Sequence, residues 1–256
     1  TLELNTAGLT NQVINYTRIG TGSQTLEFDY TIQEGDLTAD LSYTGTNSLQ
    51  LNGAQIDDAN GNTLVDVALP SPGAANSLSN YNAIEIDGIR PTFSNYQLLT
   101  SNATNTYVIP NDTVTLTFDV SEAASSTFAA NSVEFALHNA NGSFSSFTDA
   151  NSISLIGTNT IQAVFQYTET DTTYDLHFIH FRINSIYDLA GNASAVTTQT
   201  ANRTGLNLVY DNTVPTLTRV DISSTNSGGD TLKANDGVFI NLNFLASESI
   251  QLTTSD

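Results

Sequence analysis

Apolar and polar residues alternate with a period of two along several stretches of this chain. Thr25-Leu26-Glu27-Phe28-Asp29-Tyr30-Thr31-Ile32 does so, as do Val114 to Val120 and Val238 to Phe244. One face of each stretch carries aliphatic and aromatic side chains, the other Thr, Asn and Asp. That pattern predicts antiparallel strands with one dry face, and Val, Ile, Thr, Tyr and Phe suit a pleated surface. Turn clusters separate the runs: Gly20-Thr21-Gly22-Ser23, Glu34-Gly35-Asp36, Asn141-Gly142-Ser143 and Ser227-Gly228-Gly229-Asp230. A 3.6-residue period is sustained nowhere, and Thr127–Asn131 offers a short helical turn at most. The expected class is all-β, with short strands and frequent turns building β-sandwiches.

The pattern also repeats. Ile86-Asp87-Gly88-Ile89-Arg90-Pro91-Thr92 returns as Tyr210-Asp211-Asn212-Thr213-Val214-Pro215-Thr216, so prolines 91 and 215 lie 124 residues apart. Asn111-Asp112-Thr113-Val114 returns as Asn235-Asp236-Gly237-Val238 at the same spacing of 124. Each is followed by an alternating run ending in Ser-Glu, at Glu122 and at Glu248. Asp58-Ala59-Asn60-Gly61-Asn62 is echoed by Asp188-Leu189-Ala190-Gly191-Asn192, with a spacing of 130. A fixed period across separate segments marks a tandem array. Residues 91–214 are expected to hold one whole unit, 1–90 the later part of a preceding one, and 215–256 the opening strands of a third, as in a window onto a longer protein. Proline at the junction suits the start of an edge strand, and so short a connection predicts modules set nearly end to end.

Charge changes the picture further. The chain has 26 acidic residues against 6 basic, a net charge of −20. Such a surface repels nucleic acid and anionic membranes. Self-repulsion also disfavours the compact state unless cations bind, which makes divalent-cation binding the sharper reading and simple solubility or a saline habitat the plainer one. The chain has no Cys, so disulfides and thiolate metal sites are excluded. No apolar run approaches the length of a membrane span, and no signal peptide opens the sequence.

Several segments together resemble the bacterial immunoglobulin-like repeats of large surface adhesins and S-layer-type proteins. They are Gly35–Thr46, Leu49–Gly53, Ile56–Asn62, Leu69-Pro70-Ser71-Pro72-Gly73 and Ile86-Asp87-Gly88 ahead of Pro91; Val120-Ser121-Glu122-Ala123 with Ile186–Asn192 is similar to the S-layer variety. The resemblance implies tandem immunoglobulin-like β-sandwich modules, non-enzymatic, on the bacterial cell surface or secreted. It implies a structural and adhesive extender whose first partners are its neighbouring repeats, with a host or surface glycan or protein beyond them. The second unit departs from the first: it has Glu169-Thr170-Asp171 near the place of Gly35-Asp36-Leu37, and no Leu-Pro-Ser-Pro-Gly loop.

The candidate chemistry is carboxylate-rich and sits in turns. Ca²⁺ takes six to eight hard oxygen ligands, commonly from Asp, Glu, Asn and carbonyls on turns. Asp57, Asp58, Asn60 and Asn62 offer four side-chain oxygen groups in six residues, with Gly61 between them. They lack the twelve-residue spacing and closing Glu of a full calcium loop. Glu34, Asp36 and Asp87 are the natural additions, and Glu169, Asp171, Asp188, Asn192 and Asp211 are the equivalents in the second unit. Asp112, Glu122, Asp236 and Glu248 would contribute from the entering side of a following module. Ca²⁺ is then expected at or near the junctions, stiffening the array. The alternative is that the same Asp, Asn and Gly residues only shape tight turns.

Other features carry less. His177 and His180 are three apart on an alternating run and face opposite sides of a strand, and His138 has no evident partner in the sequence. With no Gly-x-Ser-x-Gly or His-Glu-x-x-His motif, no catalytic residue is expected. Phe144, Phe147, Tyr81, Tyr96 and Tyr107 lie near turn-like segments and suit core or loop packing, or a sugar- or protein-binding surface in a carbohydrate-binding module. The sequons at Asn15, Asn102, Asn111, Asn141, Asn192 and Asn202 matter only in a eukaryotic secretory route. A further alternative is assembly: strands from one copy complete the sheet of the next, giving a filament or surface lattice.

Overall fold

The computed structural model describes residues 1–6, 11–19, 24–138, 144–168, 176–198, 207–225 and 233–251. The turn clusters at Gly20–Ser23, Asn141–Ser143 and Ser227–Asp230, and the candidate ligands Glu169 and Asp171, lie outside the described residues. The fold is all-β, with one four-residue helix and one short 3₁₀ turn among the described residues.

The strands of the N-terminal segment are β1 (Leu2–Asn5), β2 (Gln12–Ile14), β3 (Arg18–Ile19), β4 (Leu26–Glu27), β5 (Leu37–Thr38), β6 (Ser42–Tyr43) and β7 (Ile86–Asp87). They form three small sheets, β2-β1-β6, β3-β4 and β5-β7. Helix α1 (Leu78–Tyr81) closes the proline-containing loop, where the Ser77 side chain accepts from the Asn80 amide and caps it. The Tyr43 hydroxyl anchors that loop through the Pro70 carbonyl.

The central segment contains β8 (Phe93–Thr100), β9 (Tyr107–Val108), β10 (Thr113–Val120), β11 (Val133–His138), β12 (Thr148–Asp149), β13 (Ser152–Leu155), β14 (Thr160–Gln166), β15 (His177–Ile183), β16 (Thr197–Thr198) and β17 (Val209–Tyr210). The 3₁₀ turn at Ala130–Ser132 falls at the edge of the stretch expected to turn. One sheet runs β13-β14-β10-β8; the other runs β12-β11-β15-β17-β9, with β16 also paired to β15. All pairings are antiparallel except β17 with β9.

Both sheets contribute to one core. Strand β10 alternates as its sequence predicts: Val114, Leu116, Phe118 and Val120 are buried while Thr115, Thr117 and Asp119 are part-exposed. They pack against Ile161 and Ala163 of the same sheet and Val133, Phe135, Ile179 and Phe181 of the other. Each such side chain contributes about 1.5–3 kcal/mol by leaving water. Edge-on and tilted ring contacts, such as Phe93 with Phe118 at 5.3 Å, fill the interior. This segment is sandwich-like: two sheets over one apolar layer. Where β8 meets β10 the register slips by one residue between Thr117 and Asp119. Asn95 absorbs the slip at φ 53°, and its side-chain amide donates to Asp119 at 2.9 Å.

The C-terminal segment is a hairpin of β18 (Leu217–Ser224) and β19 (Ile240–Ala246). Its apolar side chains are exposed.

Candidate cation site at the seam

The seam between the N-terminal and central segments is built from three pieces of chain. The first is the linker after β7. Strand β7 pairs with β5, Asp87 standing opposite Leu37. Gly35 donates its amide to the Gly88 carbonyl at 2.9 Å, and Gly88 donates to the Asp36 carbonyl at 2.7 Å. A Cβ on Gly88 would lie 2.3 Å from the Gln33 carbonyl oxygen, so this close approach requires glycine. Asp87 Oδ1 then accepts from the Ile89 amide at 3.0 Å, an Asx turn that bends the chain toward Pro91.

The second piece is the end of β10. Thr92 donates its amide to Ser121 Oγ at 3.0 Å, and the Ser121 amide returns a bond to the Thr92 carbonyl at 2.9 Å. Glu122 follows at once and is held next to the linker.

The third is the loop Asp188–Asn192. Asp188 Oδ1 accepts from the amides of Gly191 at 2.6 Å and Asn192 at 2.8 Å, and Oδ2 accepts from Asn192 Nδ2 at 2.7 Å. Gly191 takes φ 97° to close the loop. Asn192 Nδ2 also donates to the Asp87 carbonyl at 3.0 Å, tying this loop to the linker.

Together these pieces bring oxygens of Asp87, Glu122 and Asp188 within 4.8 Å of one another, the one such group of three among the described residues. Asp188 is 3% exposed. Glu122 Oε1 is buried without a hydrogen-bond partner. Desolvation, then the charges of Asp87 and Asp188, hold the Glu122 carboxyl above its ordinary range. None of the ion pairs among the described residues involves these three carboxylates. The trio opens on a cleft of about 460 Å³ also lined by Glu85, Ala123, Leu189 and Ala190. Nothing in the sequence pattern singled out Glu85, which lies just ahead of β7, two residues before Asp87.

The donor set suits a hard divalent cation. Three carboxylates, one with an orphaned oxygen, supply both charge and oxygen ligands, and waters in the open cleft could complete the shell.

The other sequence candidates lie elsewhere. Asp58 closes a loop like that of Asp188: its Oδ1 accepts from the Asn60 amide at 2.9 Å and the Asn62 amide at 2.8 Å, and its Oδ2 from Asn62 Nδ2 at 2.7 Å. These bonds, Asn62 foremost, hold the Asp58 carboxyl below its ordinary range. The loop is exposed, and neither Asp57 nor Asp58 belongs to a three-carboxylate group. Asp36 is buried and faces inward, accepting from the Tyr30 hydroxyl, the Gln33 amide at 2.6 Å and Gln12 Nε2 at 3.2 Å. Glu34 is exposed, 3.6 Å from Arg90. Asp112 organises its own turn, accepting from the Ile109 amide and Asn102 Nδ2.

At the next junction, Asp211 Oδ1 accepts from the Thr213 amide at 3.2 Å, as Asp87 does from Ile89. Glu248 Oε1 is buried without a partner, like that of Glu122. Asp236 lies in the turn ahead of β19.

His138 has no evident partner in the sequence, but its ring lies 4.6 Å from that of His180 and 4.3 Å from that of Phe144. Neighbouring strands bring these rings together, since β11 and β15 pair with Ala136 opposite His180.

Neither a scan against protein-family models nor a search of curated proteins returns a match to this chain.

Proposed function

We propose that the chain is a run of immunoglobulin-like modules from an extracellular, bacterial cell-surface or secreted protein. In this reading the modules act as an extender that projects an adhesive end, and Ca²⁺ at the seams keeps the run stiff. The observation that carries the reading is the convergence of Asp87, Glu122 and Asp188 from both sides of one seam, without a basic partner among the described residues. The linker supplies Asp87, and the module that follows supplies Glu122 and Asp188. A cation there would bridge the two, replacing mutual repulsion with shared coordination and restricting bending about residues 88–91. The 124-residue recurrence of the linker motif and a second glutamate with a buried, unpartnered oxygen, Glu248, support a seam design used more than once.

Thermal melting in EDTA, CaCl₂ and MgCl₂ tests this. A ligand at a hundred times its Kd stabilises by about 2.7 kcal/mol per site. The expected result is a calcium-selective rise in Tm that Glu122→Gln removes and Asp58→Asn leaves in place. Equal melting in EDTA and CaCl₂ would reduce the cluster to turn chemistry.

A further inference from the structure

The second sheet of the central segment buries residues on both of its faces. Val133, Phe135 and Leu137 of β11 and Ile179, Phe181 and Ile183 of β15 belong to the core. Side chains alternate along a strand, so Glu134, Ala136 and His138, with His180 and Arg182, stand on the opposite, outer face. There His138 is 9% and His180 2% exposed. The Phe144 ring packs on both imidazoles, 4.3 Å from that of His138 and 5.4 Å from that of His180. Phe147 lies beside it, with the Arg182 guanidinium 4.2 Å above its ring.

The two imidazoles come from neighbouring strands. His138 stands opposite Phe178 and Ala136 opposite His180, so the histidines are diagonal neighbours on one face, a spacing that long side chains span. Their ring centroids are 4.6 Å apart. His138 Nδ1 is buried without a hydrogen-bond partner, a cost that buried polar atoms seldom carry. Nearby charge does not oppose a cation. Arg182 is neutralised by Glu134, to which it donates from Nε at 2.8 Å and Nη2 at 2.6 Å. The net charge of −20 draws cations to the chain as a whole.

We infer that His138 and His180 form a second metal site, for a divalent ion of the Zn²⁺, Ni²⁺ and Cu²⁺ class. One nitrogen of each ring binds the ion, and water fills the remaining positions. Imidazole suits these ions, Cu²⁺ most tightly, whereas Ca²⁺ prefers oxygen, so the site is independent of the seam. Each imidazole has two ring nitrogens, so a hydrogen bond at one leaves the other for the metal and fixes the ring. The half-exposed Phe144 ring turns aside to admit the ion. His177 takes no part: it stands opposite Tyr210, a core residue, and so on the other face.

Pulsed electron paramagnetic resonance, which counts the imidazoles on Cu²⁺, tests the inference on the full chain with equimolar CuCl₂. Millimolar CaCl₂ occupies the carboxylates. The chain has only three histidines, so three variants assign every imidazole. The wild type should show two imidazoles on one Cu²⁺. His138→Gln and His180→Gln should each leave one at most and lower the affinity by about tenfold or more, and His177→Gln should match the wild type. Fewer than two imidazoles in the wild type, two that persist in His138→Gln or His180→Gln, or loss in His177→Gln overturns the inference. Should a variant fail to fold, the wild type decides alone, labelled with ¹⁵N-histidine and titrated with ZnCl₂. The ring nitrogens of His138 and His180 should shift together and those of His177 stay in place; any other pattern overturns the site.

Discussion

The loops Asp58–Asn62 and Asp188–Asn192 share a design and differ in what surrounds them. In both, one aspartate accepts the amide of the closing asparagine and that asparagine's side-chain amide, with a glycine at positive φ between them. The first loop stands in solvent. The second lies against a linker with its aspartate buried: Asn192 reaches the Asp87 carbonyl, and Asp188 meets Asp87 and Glu122. The motif therefore supplies a shaped turn, and the seam supplies the charge cluster. On the proposed reading, coordinating power belongs to the junction rather than to the loop sequence.

Substitutions at matched positions should separate the two roles. The largest difference is expected at the aspartates. Asp188→Ala removes three accepted hydrogen bonds at a buried position and should cost about 2–4 kcal/mol, whereas Asp58→Ala, in solvent, should cost far less. Urea unfolding of each variant measures this, and equal losses would erase the distinction. Next, Gly88→Ala places a methyl against the Gln33 carbonyl and should cost about 1–3 kcal/mol while weakening any calcium effect on Tm. A neutral Gly88→Ala would mean that the linker is not held closely to the Gly35 turn.

The asparagines should differ less. Asn192→Ala loses the bonds to both Asp188 and Asp87, and Asn62→Ala only the bond to Asp58, so the former should be the more destabilising by about 1 kcal/mol. The smallest effect concerns protonation. The Glu122 carboxyl titrates above its ordinary range, so the folded protein holds this proton more tightly than the unfolded chain. Without metal, Glu122 should therefore lower stability as pH rises from the ordinary carboxyl value through the raised one, with the full penalty present above it. Melting in EDTA should show Glu122→Gln matching the wild type at acid pH and exceeding it at neutral pH. The opposite ordering would mean that the repulsion is absent.

Much of the strand content was legible in the alternation, but its outcome depended on neighbours. Val114–Val120 became a full strand because β8 and β14 flank it. Thr25–Ile32 alternates as clearly, yet only Leu26–Glu27 is strand, because its central counterpart β14 is held by β10 on one side and β10 has no counterpart in the described part of residues 1–90. Helix α1 left no periodic trace, being a single capped turn. At the site, Asp87 and Asp188 stood out by type and repeat position, and Glu122 by its place after a strand. Their grouping was not legible. Proximity in sequence joins Asp87 to Asp57 and Asp58, whereas the chain path sets it against a loop that begins about 100 residues later. Buried Asp36 shows the same limit: an acidic turn residue reads as a ligand until its partners Tyr30 and Gln33 are seen.

Isothermal titration with CaCl₂ tests the central claim most directly, comparing the wild type with Glu122→Gln and Asp58→Asn. The account predicts saturable binding to the wild type, loss of the seam site in Glu122→Gln, and unchanged binding in Asp58→Asn. Binding that survives Glu122→Gln and vanishes in Asp58→Asn would place the ion in the loop rather than at the seam and contradict the account.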